Sequence, residues 1–501
     1  MGPEDLAAVL SPRTGLVAED EVGPGRFVQR EGPFESYRRT VEVEPLPGGG
    51  GRVSQVVEVR LGIPFFAWMF AVPVRLALRP IRPSRTMPWW GPPDRLDRRS
   101  AVVLACLSAM AVVAGYVGAL LALTMTYAAR EYGQNKAAQG IALGAVRASV
   151  VLALGLLILA DRYGRRRPIL LAATAAAVVT TGGALSPSLV WLTADQIVAI
   201  TFTAALLVLV GVTAAEEMPA GARAWAIAIV TLAVGLGSGL ATMALPVAGA
   251  GVATWRWLFA GAVLALPLVA RAARDLPESR RFTGARGTGP APPGAGPPRA
   301  DPRRLVLLAV GVFLYGLFVT PAGQFQNEYL RTERHFSAAH ITAFSLTVGT
   351  LPALAILAGG RLADVRGRRA VAAAGIGAGA LTTVATYLSH GWLLWTWGLV
   401  DSLVAYLAAP AINVYGPELF PTAVRSRSTG LVGIAFAAGG VLGLAATGLL
   451  SQAIGTIGPA LAVLAVGPLA LVVLIATKYP ETARRELEEL NPFDAPEWRE
   501  P

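Results

Sequence analysis

A single cysteine, Cys106, stands in 501 residues, so no intrachain disulfide is possible. Lysine is nearly missing too. Lys136 and Lys478 are the only two, and every other basic residue is arginine. Histidine is confined to His335, His340 and His390, without the spacing of a metal-ligand set. Charged residues make up 15% of the chain against 54% hydrophobic ones, with mean hydropathy +0.54. That balance excludes an ordinary soluble domain and fits a polytopic membrane protein. The acidic start, Glu4 and Asp5, lacks the basic-then-apolar order of a signal peptide. No nucleophile elbow, phosphate loop or pair of catalytic acids stands at a plausible site, so neither an enzyme nor a cofactor or metal is expected.

What is present is arginine in short loops beside long apolar runs. The net charge of +11 therefore reads as membrane topology and not as nucleic-acid binding, for which no motif accompanies it. Arginine in place of lysine, with Ala- and Gly-rich runs, points to a bacterial chain. Twelve apolar runs are legible, roughly 101–129, 137–160, 168–187, 189–213, 224–247 and 254–274, then 304–327, 338–361, 370–389, 391–415, 427–451 and 457–477. The expected fold is an all-α membrane protein of about twelve helices in two six-helix bundles. Its parts are an extension (1–98), a first bundle (99–274), a Pro/Gly-rich linker (275–303), a second bundle (304–478) and a charged tail (479–501).

The extension reads as water-soluble. Tyr37 to Leu46 and Arg52 to Leu61 alternate apolar and polar residues around Pro47-Gly48-Gly49-Gly50-Gly51, which predicts a β-hairpin. A lone hairpin needs something to pack on. Leu61 to Leu78 is apolar but short for a span and is interrupted by Pro64 and Pro73, which predicts a helix at the interface. Arg79, Arg82, Arg85, Arg95, Arg98 and Arg99 follow with Trp89-Trp90, which puts the extension on the cytoplasmic side.

Two loops repeat. Leu159-Ala160-Asp161-Arg162-Tyr163-Gly164-Arg165-Arg166-Arg167 returns as Leu362-Ala363-Asp364-Val365-Arg366-Gly367-Arg368-Arg369, an offset of 203 (161 to 364). Glu216, Pro219 and Arg223 match Glu418, Pro421 and Arg425 at an offset of 202 (216 to 418). Pro277-Glu278 matches Pro480-Glu481 at 203 (277 to 480). A nearly constant offset makes the two halves a tandem repeat, and parallel halves place a solute site near the midplane where they meet.

These loops, with Tyr415-Gly416-Pro417-Glu418 and Pro480-Glu481-Thr482, resemble those of the major facilitator superfamily, and of its metabolite and sugar porter branch, over about residues 100–490. Leu157 departs from the first loop's usual glycine, and Asp195-Gln196 stands where many relatives carry an arginine. The resemblance implies that Asp161, Gly164, Arg165 and Arg166, with Asp364, Gly367, Arg368 and Arg369, latch the halves on the cytoplasmic side. Glu216 with Arg223, and Glu418 with Arg425, are expected as supporting members of that network. The plain alternative is that these arginines only fix topology.

Charges inside spans are costly, at about 2.5–3.5 kcal/mol each at a helix centre. Arg147 in span 2 and Asp401 in span 10 are therefore expected at a wet central cavity, with Asp401 as a proton carrier. Milder polar candidates for solute contact are Tyr116 and Thr124 in span 1, Gln324, Gln326 and Asn327 in span 7, and Asn413 in span 10. Together these readings predict a secondary transporter of a small organic solute, proton-coupled as a symporter. It is expected to work as a monomer in the bacterial inner membrane, with both termini cytoplasmic. Efflux by the same fold, or a non-transporting sensor or scaffold, are the rival readings.

Overall fold

The computed structural model describes residues 3–46, 50–84, 86–134, 136–248, 250–280, 282, 300–326, 329–330, 333–336 and 338–491. The predicted linker between 282 and 300, the hairpin-loop residues 47–49 and Asn327 lie outside them.

Twelve helical spans follow the twelve apolar runs. In the first half they are span 1 (Arg98–Glu131), span 2 (Lys136–Ala148, a 3-10 turn at Ser149–Leu152, then Ala153–Tyr163) and span 3 (Arg166–Gly183). Span 4 (Leu189–Glu217), span 5 (Arg223–Ala248) and span 6 (Arg256–Ala260 through Ala265–Asp275) complete it. The second half holds span 7 (Pro302–Gln324), span 8 (Ala338–Thr350, a 3-10 turn at Leu351–Leu354, then Ala355–Arg366) and span 9 (Arg368–Leu388). It closes with span 10 (Gly391–Asn413), span 11 (Arg425–Ile454) and span 12 (Ile457–Leu464 and Val466–Lys478). Among the described residues, ten of these are long and apolar enough to cross a membrane; spans 3 and 8 fill the two remaining places of the repeat. The 3-10 turns of spans 2 and 8 fall at matching positions, 149–152 and 351–354, so the internal repeat extends to local distortions.

Within each half, span 1 packs on span 5 and span 7 on span 11, while span 3 packs on span 4 and span 9 on span 10. The halves meet through the second part of span 2 against span 11 and the second part of span 8 against span 5. At one of these crossings a side chain on Gly360 would come within 2.8 Å of the Trp225 backbone; at the other, a side chain on Gly430 would come within 2.3 Å of Leu157. Small residues let the helices approach this closely. Buried side chains cross over accordingly: Ala224 of span 5 belongs to the second half's apolar core, and Val414 belongs to the first half's. The extension, the Glu278 segment and the tail all gather at this same end of the bundle.

The extension is larger than a hairpin. The expected pair is there as β3 (Phe34–Leu46) and β4 (Gly50–Leu61), with Tyr37 opposite Val59 and Val41 opposite Gln55. Two further strands, β1 (Ala18–Gly23) and β2 (Arg26–Glu31), extend it into a four-stranded antiparallel sheet in the order β1-β2-β3-β4. Arg39, fully buried, lies on the same face of β3 as Tyr37 and Val41. Its guanidinium lies 4.0 Å over the Phe27 ring and donates to Glu19 at 2.7 Å and to the carbonyls of Val9 and Ser11 at 3.0 and 2.8 Å. Burial beside Glu19 holds the Tyr37 hydroxyl far above its ordinary pKa, so it stays protonated and donates to that carboxylate. A short helix, α1 (Pro3–Val9), precedes the sheet, and the apolar stretch after β4 forms another, α2 (Ala67–Leu78), of 12 residues, too short to span. Its Val74 and Leu78 pack on Val17, Phe34 and Tyr37, while Trp68, Val72 and Leu76 remain exposed.

Candidate functional site

The two repeated loops converge at the seam between the halves. Each turns on a glycine with a left-handed backbone, Gly164 at φ 105° and Gly367 at φ 101°. A side chain on either would run into a carboxylate, that of Glu278 at 2.5 Å or that of Glu481 at 2.7 Å. Those glutamates occupy the glycine turns for a reason. Glu278 accepts the backbone N–H groups of Arg165 and Arg166 at 2.7 and 3.2 Å. Glu481 accepts those of Arg368 and Arg369 at 2.9 and 3.1 Å. Each thus satisfies the free donors that open spans 3 and 9. The repeat of Pro277-Glu278 as Pro480-Glu481 is visible in the sequence, but the capping role of the two glutamates emerges only in three dimensions.

The aspartates reach across the seam. Asp161 at the end of span 2 accepts the backbone N–H groups of Ser426 and Arg427, the first turn of span 11, at 3.0 and 2.9 Å. Asp364 at the end of span 8 accepts those of Ala224 and Trp225, the first turn of span 5, at 3.2 and 3.0 Å. Each half therefore caps a helix of the other. A carboxylate at a partly buried helix N-terminus is stabilised by up to about 2 kcal/mol.

Behind the aspartates lie buried ion networks with matching membership. Arg165 donates to Asp161 at 2.9 Å, to Glu216 at 3.2 Å and, across the seam, to the Thr422 carbonyl at 2.6 Å. Arg368 donates to Asp364 at 3.0 Å, to Glu418, and across the seam to the Ala220 carbonyl at 3.2 Å. The glutamate–arginine pairs run between the halves: Arg425 bonds Glu216 at 2.8 Å, and Arg223 lies 3.6 Å from Glu418. Arg223 also meets Glu486 of the tail at 3.1 Å. All of Arg165, Arg223, Arg368, Arg425, Asp364 and Glu418 are fully buried. Arg166 turns away from the seam, donating to the carbonyls of Leu276 and Ala273. Arg369 bonds the Ala476 carbonyl.

The polar candidates of the spans do not converge on one point. Asp401 accepts the hydroxyls of Thr382 and Thr383 on span 9, each at 2.8 Å. Among the described residues no arginine or lysine forms an ion pair with it. It lines a cavity of about 160 Å³ with Gln326, Tyr315, Thr386 and Tyr387, all from the second half. Arg147 is exposed on span 2 and is absent from that lining. It lies two helical turns from Leu154, which faces span 11 at Gly430. Tyr116 donates to the Leu258 carbonyl at 2.8 Å, tying span 1 to span 6, and Thr124 bonds the Leu120 carbonyl of its own helix at 2.7 Å. Gln324 and Asn413 are exposed at span ends, and Asn327 lies outside the described residues.

The family model of the Major Facilitator Superfamily matches residues 105–329 and 308–500. No curated protein sequence matches the chain. Solved structures share the fold. The proton:xylose symporter XylE, bound to 6-bromo-6-deoxy-D-glucose, has TM-score 0.67 at 15% identity and covers 78% of this chain and 98% of its own. The human organic anion transporter MFSD10 has TM-score 0.59 at 16% identity, covering 75% and 99%. The E. coli fucose:proton symporter FucP has TM-score 0.59 at 10% identity, covering 76% and 100%. With a family model matched over most of its length and both halves built on one plan, the chain belongs to the major facilitator superfamily of membrane transporters.

Proposed function

We propose that the chain is a proton-coupled secondary transporter that moves a small organic solute by alternating access, with the seam as its gate. The arginine-rich loops, the extension and the tail lie at the gate end, so that end faces the cytoplasm by the positive-inside rule. The gate is closed here, because every cross-half cap and ion pair is formed. Opening it separates span 2 from span 11 and span 8 from span 5, and those contacts break together. The protein acts as a monomer in a bacterial inner membrane, with both termini cytoplasmic.

Asp401 is the observation that carries the coupling. A carboxylate held by two hydroxyls, without a cation, takes up and releases a proton without breaking an ion pair. It shares a cavity with Gln326, which can bond a solute hydroxyl or carbonyl. Solute and proton can then act on one small space. The proton symporters among the structural neighbours support the same reading, and sugars and small organic anions are the first solutes to try. Asp195 of span 4 is likewise held by a neutral donor, Gln196 at 2.9 Å, but it does not line that cavity.

A thermal-shift screen identifies the solute, because a ligand that binds the folded state stabilises it. Proteoliposomes then separate accumulation from exchange. Asp401→Asn is expected to lose pH-driven accumulation and to keep solute exchange. Accumulation with the wild-type pH profile would place the proton elsewhere or make the chain a uniporter.

A further inference from the structure

The segment that joins the extension to span 1 touches both halves of the transporter. On the first half, the Trp225 indole N–H of span 5 donates to the Trp90 carbonyl at 3.1 Å, and the Gly221 N–H donates to Asp94 at 2.8 Å. On the second half, Arg361 of span 8 donates to the carbonyls of Pro88 and Gly91, both at 2.8 Å. The segment is itself anchored to the extension. Arg95 donates to the Gly15 carbonyl at 3.0 Å and pairs with Glu31 at 3.0 Å, and the Gly15 N–H donates to the Ser84 carbonyl at 3.1 Å. Asp97 then caps span 1 through the Ser100 N–H at 2.8 Å.

We propose that residues 86–97 are a strap that holds the gate shut, so that the folded extension acts as a built-in brake on opening. The argument is geometric. Arg361 follows Gly360, the residue at which span 8 crosses closest over Trp225 of span 5. The strap therefore bridges the same crossing that Asp364 caps. Three peptide units separate Gly91, which Arg361 holds, from Asp94, which Gly221 holds. Three extended residues reach about 10 Å at most, so Gly91 and Asp94 cannot follow spans 8 and 5 beyond that separation, and past it one set of the strap's bonds must break.

The strap is also built to let go. An apolar cavity of about 970 Å³ lies behind it, lined by Trp90, Pro92 and Leu96 of the strap with Phe70 of α2 and Trp225 and Leu236 of span 5. Among the described residues, the hydrogen bonds that hold the strap to span 8 are the two from Arg361. Any event that moves the sheet and α2 is transmitted to the gate through Arg95.

The inference rests on the seam being the gate, and its test keeps the two apart. Ala224→Cys and Val414→Cys, each in a Cys106→Ser background, report the 5–8 and 2–11 crossings, because both positions are sealed by the opposite half. Arg361→Gln in the full-length chain should raise maleimide labelling of both reporters about tenfold, the population ratio set by one charge-assisted hydrogen bond. Asp94→Asn should raise it less, since a neutral acceptor remains. In a second arm, Pro88→Cys with Arg361→Cys is joined by a reducible bis-methanethiosulfonate spacer in the Asp161→Asn background, because the Arg361 side chain spans this gap to the Pro88 carbonyl and a direct disulfide demands close Cα atoms. The cross-link should suppress labelling at Val414→Cys, and a reducing agent should restore it. If Asp161→Asn raises labelling but Arg361→Gln does not and the cross-link has no effect, the strap is refuted while the gate stands. If Asp161→Asn leaves labelling unchanged, the gate reading itself fails.

Discussion

Replacing Asp161 by asparagine should open the gate without unfolding the protein. The carboxylate accepts two N–H groups at the head of span 11 and one from Arg165, all at 3.0 Å or less. Asparagine keeps an acceptor oxygen but loses the charge that the helix N-terminus and Arg165 both favour. Arg165 is not stranded, because Glu216 and the Thr422 carbonyl still hold it. The loss is therefore of the order of a partly buried helix-end charge, about 2 kcal/mol. Because 1.4 kcal/mol is tenfold, this moves the closed-to-open ratio about thirtyfold toward open. A protein that is closed about 99% of the time becomes open for roughly a quarter of it on the same arithmetic. Stopped-time labelling of Val414→Cys reads that fraction directly. Asp364→Asn should act alike at Ala224→Cys, and the double variant should exceed either alone. If Asp161→Asn, inserted and melting as the wild type does, labels at the wild-type rate, the cross-half cap contributes nothing to closure.

Other consequences are local. Gly367→Ala should lower thermal stability, because an extended backbone at φ 101°, ψ 140° costs an L-residue about 1–3 kcal/mol and the new methyl group displaces Glu481 from the head of span 9; a melting curve equal to the wild type's would remove the argument for that turn. Glu216→Gln and Arg425→Gln should be non-additive in closed-state stability by about 0.5–3 kcal/mol, as for residues in direct contact; strict additivity in a double-mutant cycle would dissolve the pair. Arg39→Ala leaves Glu19 buried without its main cation, a loss of about 3–5 kcal/mol, so the extension should become protease-sensitive while the spans stay resistant; unchanged digestion would argue against that core.

Much of this architecture is legible in the chain. Twelve apolar runs leave little freedom in secondary structure, and the repeat of Asp161 at Asp364 announces the two halves. The turn glycines are readable for the same reason, since a carboxylate, two residues and a glycine between apolar runs leave no other way to reverse the chain. Partners are less readable. Glu216 and Arg223 lie seven residues apart, yet Glu216 bonds Arg425 and Arg223 faces Glu418, because the seam brings span ends of different halves closer than neighbours in sequence. The sheet's first two strands escape a pattern reading because they are short and charged, and their core is an arginine salt-bridged to Glu19. Arg147 and Asp401 are both conspicuous as charges within spans, but only the fold shows that they do not share one small cavity.

Alternating access is the central claim, and paired distances test it most directly. Nitroxides at Tyr163→Cys and Ala423→Cys, both exposed beside the seam, report the gate end in a Cys106→Ser background. A pair at Leu185→Cys and Trp392→Cys, exposed at the far end, reports the opposite side. Double electron–electron resonance should show a single short gate-end distance in the wild type. In the Asp161→Asn, Asp364→Asn variant a longer gate-end population should appear together with a shorter one at the far end, in equal proportion. Lengthening at both ends, or a gate-end distance that stays unchanged while the far end moves, would contradict the account.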